Sequence, residues 1–338
     1  LRHLLFIAVL WILSACNDQV AEKIEINAWT LELPSHFDPL PVPEKNPMNN
    51  AKVELGARLF YDPLLSLDSS VSCSSCHLPA LSFSDGKALS EGIKSQLGPR
   101  NSPVLVNLAF ANSYMMDGGI PNLELQVVAP LMHEGEMGFD LFQLVDRFSN
   151  NMLYQSLSIV AFKRELDPEG IAYALAAFQR SLLSYESKFD AIQQGSDGYS
   201  TIEQRGFDLF QSDSLNCSSC HSGVNFSDYQ FYNIGLYEQY NDPGRWRITE
   251  DESDKGKFKT PTLRNILYSA PYMHDGSVKN LKALIEFKMS GGENHPNKSN
   301  KMRAFSLNES DIESLIAYLA TLSDANFIER EIKRKQQL

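Results

Sequence analysis

The pentapeptide Cys73-Ser74-Ser75-Cys76-His77 recurs letter for letter as Cys217-Ser218-Ser219-Cys220-His221, and no other feature of the 338-residue chain restricts its fold so severely. In C-x-x-C-H the two thiols add to the vinyl groups of a haem and the following imidazole lies beneath its iron, so each residue type meets a chemical requirement. A zinc knuckle or a redox dithiol uses the same C-x-x-C spacing, but a structural zinc site needs four ligands converging in one place. Here the pairs lie in opposite halves of the chain, each with its own His, and account for four of the five cysteines. The spacing predicts two covalent c-type haems, attached at Cys73 and Cys76 and at Cys217 and Cys220, with His77 and His221 on the irons.

The flanks repeat as well. Gly56-x-x-Leu59-Phe60 before the first site is matched by Gly206-x-x-Leu209-Phe210 before the second. Ser102-Pro103-x-Leu105-x-Asn107 is matched by Thr260-Pro261-x-Leu263-x-Asn265, and Asp117-Gly118 with Leu123 by Asp275-Gly276 with Leu281. The simplest account is a mostly α-helical chain of two tandem cytochrome c-like domains, each wrapping one haem. The divisions expected are a signal over 1–16, a Pro-rich segment over 17–48 laid over a domain or acting as a tether, haem domains over 49–190 and 191–326, and a charged tail over 327–338. A first helix is expected after a cap at Asn49 or Asn50, and another from Leu123 to Leu131. A third should start after Asp167-Pro168 with Ile171, Leu175, Phe178 and Leu182 on one face, and a last should run from Ser310 to Leu322.

The amino terminus has the layout of a secretory signal: Arg2 and His3, an apolar run from Leu4 to Leu13 too short to span a membrane, then Leu13-Ser14-Ala15-Cys16. That ending resembles a bacterial lipoprotein box, which makes Cys16 a lipidation site and the only membrane attachment; an ordinary signal peptide also fits. Either way the mature chain lies in the periplasm, where covalent haem is assembled. A net charge of -12, with basic residues clustered only near the end, argues against nucleic-acid binding and suits a basic electron donor.

A duplicated haem chain shows its function in its asymmetry. After Asp117-Gly118 the first half presents Gln126 and Glu136, while the second presents Leu284 and then Lys288-Met289. An iron that activates peroxide needs a vacant sixth position and a nearby group that shuttles a proton, as a carboxylate can. An iron that relays electrons needs that position filled, commonly by Met. Glu136 therefore reads as acid/base and Gln126 as its hydrogen-bonding neighbour.

The chain resembles the bacterial di-haem cytochrome c peroxidase/MauG superfamily from about Pro43 to Leu322. The likeness is carried by Val53-Glu54-Leu55-Gly56, both C-x-x-C-H sites, Arg100-Asn101-Ser102-Pro103, Leu123-Glu124-x-Gln126, Glu136-Met137-Gly138, Lys259-Thr260-Pro261-Thr262-Leu263-Arg264-Asn265 and Ala270-Pro271-Tyr272-Met273-His274-Asp275-Gly276. The resemblance implies hydrogen peroxide reduction at the amino-terminal haem, with Gln126 and Glu136 beside it. Electrons then come through a six-coordinate carboxy-terminal haem from a small cytochrome c or copper protein. It also implies a calcium held by Asn101, Ser269 and Pro271, haem surroundings that include His274, Arg264 and Met116, and in many members a homodimer.

Three departures stand out. No His lies between His77 and His133, where many relatives carry one that blocks the first iron, so that haem should be accessible without reductive activation. Met116 occupies the place of an interhaem Trp, leaving Tyr114, Tyr272 and Trp246 as electron-path candidates. The sixth ligand of the second haem falls on Lys288 without a gap, while Met289, one residue on, is the chemical match. Trp29-Thr30-Leu31-Glu32-Leu33-Pro34, His133 three residues before Glu136, and Phe305-Ser306-Leu307 look like the MbnH branch, which uses peroxide to oxidise a tryptophan of a partner protein. Peroxide reduction, partner oxidation and a non-catalytic electron-transfer cytochrome are thus the competing readings, with a non-haem Cys/His metal protein behind them.

Overall fold

Each half of the molecule is built on two crossing helices, and a glycine sets how closely they approach. The computed structural model describes residues 29–196 and 198–338, so Cys16 and its segment lie outside the described residues. In the first half helix Asn50–Tyr61 crosses Pro168–Arg180; in the second, Thr201–Gln211 crosses Glu309–Ala320. A Cβ placed on Gly56 would stand 1.9 Å from the Ala174 carbonyl oxygen, and one on Gly206 would stand 1.9 Å from that of Ser314. The Leu and Phe three and four residues later turn to the same side and are buried as Leu59, Phe60, Leu209 and Phe210. Asn49 is the cap of the first helix, its side chain accepting from the Lys52 N–H at 2.8 Å. Asp167 caps the long partner helix, with Pro168 in the first turn.

The sequence repeat is also a repeat of hydrogen bonds. Asn107 and Asn265 sit at φ +54° and +61°, a left-handed conformation that Asn tolerates. Their N–H groups donate to Leu182 and Leu322 carbonyls at 2.9 and 3.1 Å, and their side-chain oxygens accept from Ser184 and Asp324 N–H groups at 2.8 and 2.7 Å. The phenols of Tyr114 and Tyr272 donate to the Leu108 and Ile266 carbonyls at 3.1 and 2.9 Å.

Side chains from both halves close the seam between them. Arg100 bonds Asp117 at 2.8 Å and grips Asp242 at 2.6 and 3.0 Å. Lys259, in the two-stranded antiparallel sheet Phe231–Tyr232 with Phe258–Lys259, donates its N–H to the Met116 carbonyl at 2.8 Å and its ammonium to the Ser113 carbonyl at 2.5 Å. Burial pushes that ammonium down to about 8 against the opposing pull of Asp117.

Two sequence expectations, the tail and the helix after Asn122, need correction. The charged tail is a helix, Ala325–Gln337, capped by Asp324; Phe327 and Ile328 enter the core of the first half, and Glu331 is buried with Arg330 and Arg334 beside it. The described part of the Pro-rich segment lies against the first half: Phe37 is buried, and Asn46 bonds Glu124 and the Tyr173 carbonyl. The helix expected from Leu123 to Leu131 forms as Leu123–Gln126 and Val128–Met132, with Val127 between them still right-handed helical.

Candidate functional site

Both C-x-x-C-H segments form a single helical turn that presents two thiols and an imidazole together. None of the four cysteines is in a disulfide. Burial pushes the thiols up, Cys73 to about 12 and Cys76 and Cys217 to about 11. His77 Nδ1 lies 2.7 Å from the Phe83 carbonyl oxygen and His221 Nδ1 2.9 Å from that of Phe226. Phe83 and Phe226 both hold left-handed backbone angles, which turn those carbonyls inward. A carbonyl accepting from Nδ1–H fixes the tautomer and leaves the Nε2 lone pair for a metal. Burial lowers both imidazoles, His221 to about 4, which keeps them neutral as iron ligands must be. The donor set in each half thus fits a c-type haem.

The crevice walls differ between the halves. Leu123, Val127 and Leu131 form a buried stripe, and their counterparts Leu281, Ile285 and Met289 pack on the second core. The register holds to the end: the Leu131 carbonyl accepts from Phe139 N–H at 2.7 Å and the Met289 carbonyl from Phe305 N–H at 3.1 Å. The neighbouring face carries Gln126 and Pro130 in the first half and Leu284 and Lys288 in the second. The Gln126 Oε1 is buried with no hydrogen-bond partner among the described residues. Glu136 is half-buried, and its charge is felt at both Cys73 and Cys76. Burial raises its carboxyl above the ordinary range, partly opposed by His133, whose Nδ1 is 3.8 Å away. In the second half Lys288 points its charge at Cys217, Cys220 and His221, and burial lowers the amine to about 8.

Met289 and Leu284 are both partly buried and pack on the second core from the helix that carries Lys288. Arg264, fully buried, pairs with Asp190 at 2.7 and 2.8 Å and donates to the Val224 carbonyl at 2.6 Å. Asp190 also takes His36 at 2.9 Å, so Arg264 braces the loop leading to Phe226. His274 stacks on Phe258 at 4.0 Å and accepts the Asn101 N–H on its carbonyl at 2.7 Å, bringing Asn101 to the loop that holds Ser269 and Pro271. Among the described residues no three His, Cys, Asp or Glu side chains are grouped to hold a metal, so a calcium there would rest on neutral oxygens. Met116 is held at the seam by its carbonyl, and Trp246 donates to Glu252 near the surface. Pro130, which matches Lys288 in register, carries no signal in a single half of the sequence and emerges only when the halves are set side by side.

Fold and site together define a tandem c-type cytochrome with unequal haem crevices. The family model described as di-haem cytochrome c peroxidase matches residues 50–198, and that described as cytochrome c matches residues 203–323. The methylamine utilization protein MauG of Methylorubrum extorquens is 37% identical over 84% of this chain and 81% of its own length. The cytochrome-c peroxidase IdrP1 of Denitromonas iodatirespirans is 35% identical over 84% of this chain and 85% of its own. A crystal structure of a MauG-like protein associated with microbial copper homeostasis superposes with a TM-score of 0.86 at 34% identity, covering 89% of this chain and 97% of that one. The chain belongs to the di-haem cytochrome c peroxidase/MauG family.

Proposed function

We propose that the chain is a periplasmic di-haem peroxidase that reduces hydrogen peroxide in its first half with electrons received through its second. The observation that carries this reading is the contrast between Pro130, which has no donor atom to close a sixth position, and Lys288, which has one, at matching places in the two halves. His77 with Cys73 and Cys76, and His221 with Cys217 and Cys220, would hold the two haems. A haem bound at His77 supplies an iron able to accept oxidising equivalents from peroxide. With two electrons from the second half and two protons from solvent, peroxide would leave as two waters, the Glu136 carboxylate taking a proton from one peroxide oxygen and returning it to the other as the O–O bond breaks. Burial raises its pKa, which makes the carboxylate a better proton acceptor. Gln126, with its unpartnered Oε1, holds the peroxide hydroxyl by accepting its hydrogen bond. Electrons cross at the seam where Met116 meets Lys259.

The finer reading adds one calcium at Asn101, Ser269 and Pro271, a lipid anchor at Cys16, a small cytochrome or copper-protein donor, and a homodimer. A second reading, peroxide-dependent oxidation of a tryptophan in a partner protein, is favoured by the similarity to the MauG-like protein associated with copper homeostasis. Stopped-flow mixing of the fully oxidised protein with peroxide separates the two. Rapid turnover with reduced cytochrome c supports peroxide reduction, and a long-lived oxidised pair that ignores cytochrome c supports partner oxidation.

A further inference from the structure

The two phenylalanines whose carbonyls hold the imidazoles are themselves packed from the opposite half of the molecule. Phe83 is fully buried at φ +62°, with its carbonyl oxygen 2.7 Å from His77 Nδ1; Phe226 is buried at φ +51°, with its carbonyl oxygen 2.9 Å from His221 Nδ1. Each ring has a neighbour from its own half at a repeated position, Phe60 at 5.9 Å and Phe210 at 6.5 Å between ring centres. A second neighbour is exchanged. Phe327, on the segment that leaves the second half after Glu309–Ala320, lies 6.0 Å from Phe83. Phe189, on the segment that leaves the first half after Pro168–Arg180, lies 4.8 Å from Phe226.

Hydrogen bonds fasten the exchange. Phe189 donates its N–H to the Thr321 carbonyl at 3.0 Å, and the next residue, Asp190, takes Arg264, which in turn reaches the Val224 carbonyl two residues before Phe226. Asp324, fully buried, joins the two leaving segments: its Oδ2 accepts from the Tyr185 and Glu186 N–H groups at 3.0 Å each, and its Oδ1 from the Phe327 N–H at 2.8 Å. A bulky residue at positive φ is strained and persists only where its surroundings hold it. The direction of each carbonyl is therefore kept by what packs on the ring behind it.

We propose that Phe327 and Phe189 are positioning residues for the iron-binding imidazoles, each half lending the other the ring that steadies the carbonyl on its His, a role that rests on haems bound at His77 and His221 and not on what either iron does next. A firm Nδ1–H···O bond makes an imidazole more basic and a better donor to iron, which favours the oxidised metal. Removing the lent ring leaves a cavity into which the strained turn relaxes, so the bond lengthens and the potential of that haem rises. The effect is crossed: a change at Phe327 is felt at the first haem and a change at Phe189 at the second.

The test uses the full-length holoprotein, with haem first counted by intact mass, and reads the potential of each haem by spectroelectrochemical titration. Variants lacking one pair of attachment cysteines assign each potential to its haem. Phe327→Ala should raise the potential of the haem at His77 and leave the other in place; Phe189→Ala should do the converse. Phe327→Leu, which refills much of the cavity, should give a smaller rise at the same haem, and it carries the reading where the alanine variant fails to hold its haem. Phe148→Ala removes an equally buried ring of the first core, one that meets Tyr154 instead of Phe83, and should lower the melting temperature without moving either potential. Equal shifts from Phe148→Ala and Phe327→Ala overturn the proposal, as do shifts at both haems from one lent ring, or unmoved potentials with both haems attached. A wild-type mass without haem instead rejects the haem domains beneath it.

Discussion

Gly56 lies against the Ala174 carbonyl so closely that a methyl group on it would stand 1.9 Å from the oxygen, and Gly206 repeats the relationship with Ser314. The obstructing atom is backbone, so neither helix can yield without moving the other. Gly56→Ala or Gly206→Ala should destabilise by at least the ~1–3 kcal/mol typical of overpacked cores, despite the better helix propensity of Ala. Thermal unfolding of each variant checks this, and a variant as stable as wild type would mean that the helices cross elsewhere.

The Arg264–Asp190 pair should make stability fall at acid pH. Burial alone would raise the Asp190 carboxyl, but hydrogen bonds and charge from Arg264, with help from Ser187 and His36, outweigh it and hold the group below the ordinary carboxylate range. A depressed folded pKa contributes stability that is complete above the unfolded value and is lost as pH falls through the folded one. Arg264→Met, which strands the buried carboxylate, should cost about 3–5 kcal/mol at neutral pH and shrink that acid-side dependence. Denaturant titrations across pH read both effects.

Glu136→Gln should lower peroxide turnover by about 10²–10⁴-fold with haem content intact, the usual reach of a positioned acid/base. The carboxylate form starts the proton exchange, so wild-type rate should rise with pH through a pKa above the ordinary carboxylate range. Protonated His133 lowers that pKa, so His133→Ala should move the limb to higher pH. A limb that persists unchanged in Glu136→Gln would assign it to another group.

Replacing Cys73 and Cys76 together by Ser should remove one haem mass from the purified chain, and replacing Cys217 and Cys220 should remove one as well. Each thiol pair belongs to its own turn with its own imidazole, so the losses should be independent. Intact-mass measurement after denaturation gives the count.

The repeat made much of this fold legible in advance. Gly56 and Gly206, the Asn107 and Asn265 turns and the helix caps are local requirements, and local requirements leave a mark in sequence. The misses are non-local. Nothing near Arg264 announces Asp190 as its partner, and the charged residues around Phe327 and Ile328 hid an amphipathic helix that returns to the first core.

The central claim is that one iron is open to peroxide and the other is closed by the protein. EPR of the fully oxidised protein before and after peroxide measures this directly. The account predicts two unequal haems, one low-spin and one with an exchangeable sixth position, and a peroxide response that begins at the exchangeable one and slows in Glu136→Gln. Two low-spin haems, both indifferent to peroxide, would contradict it.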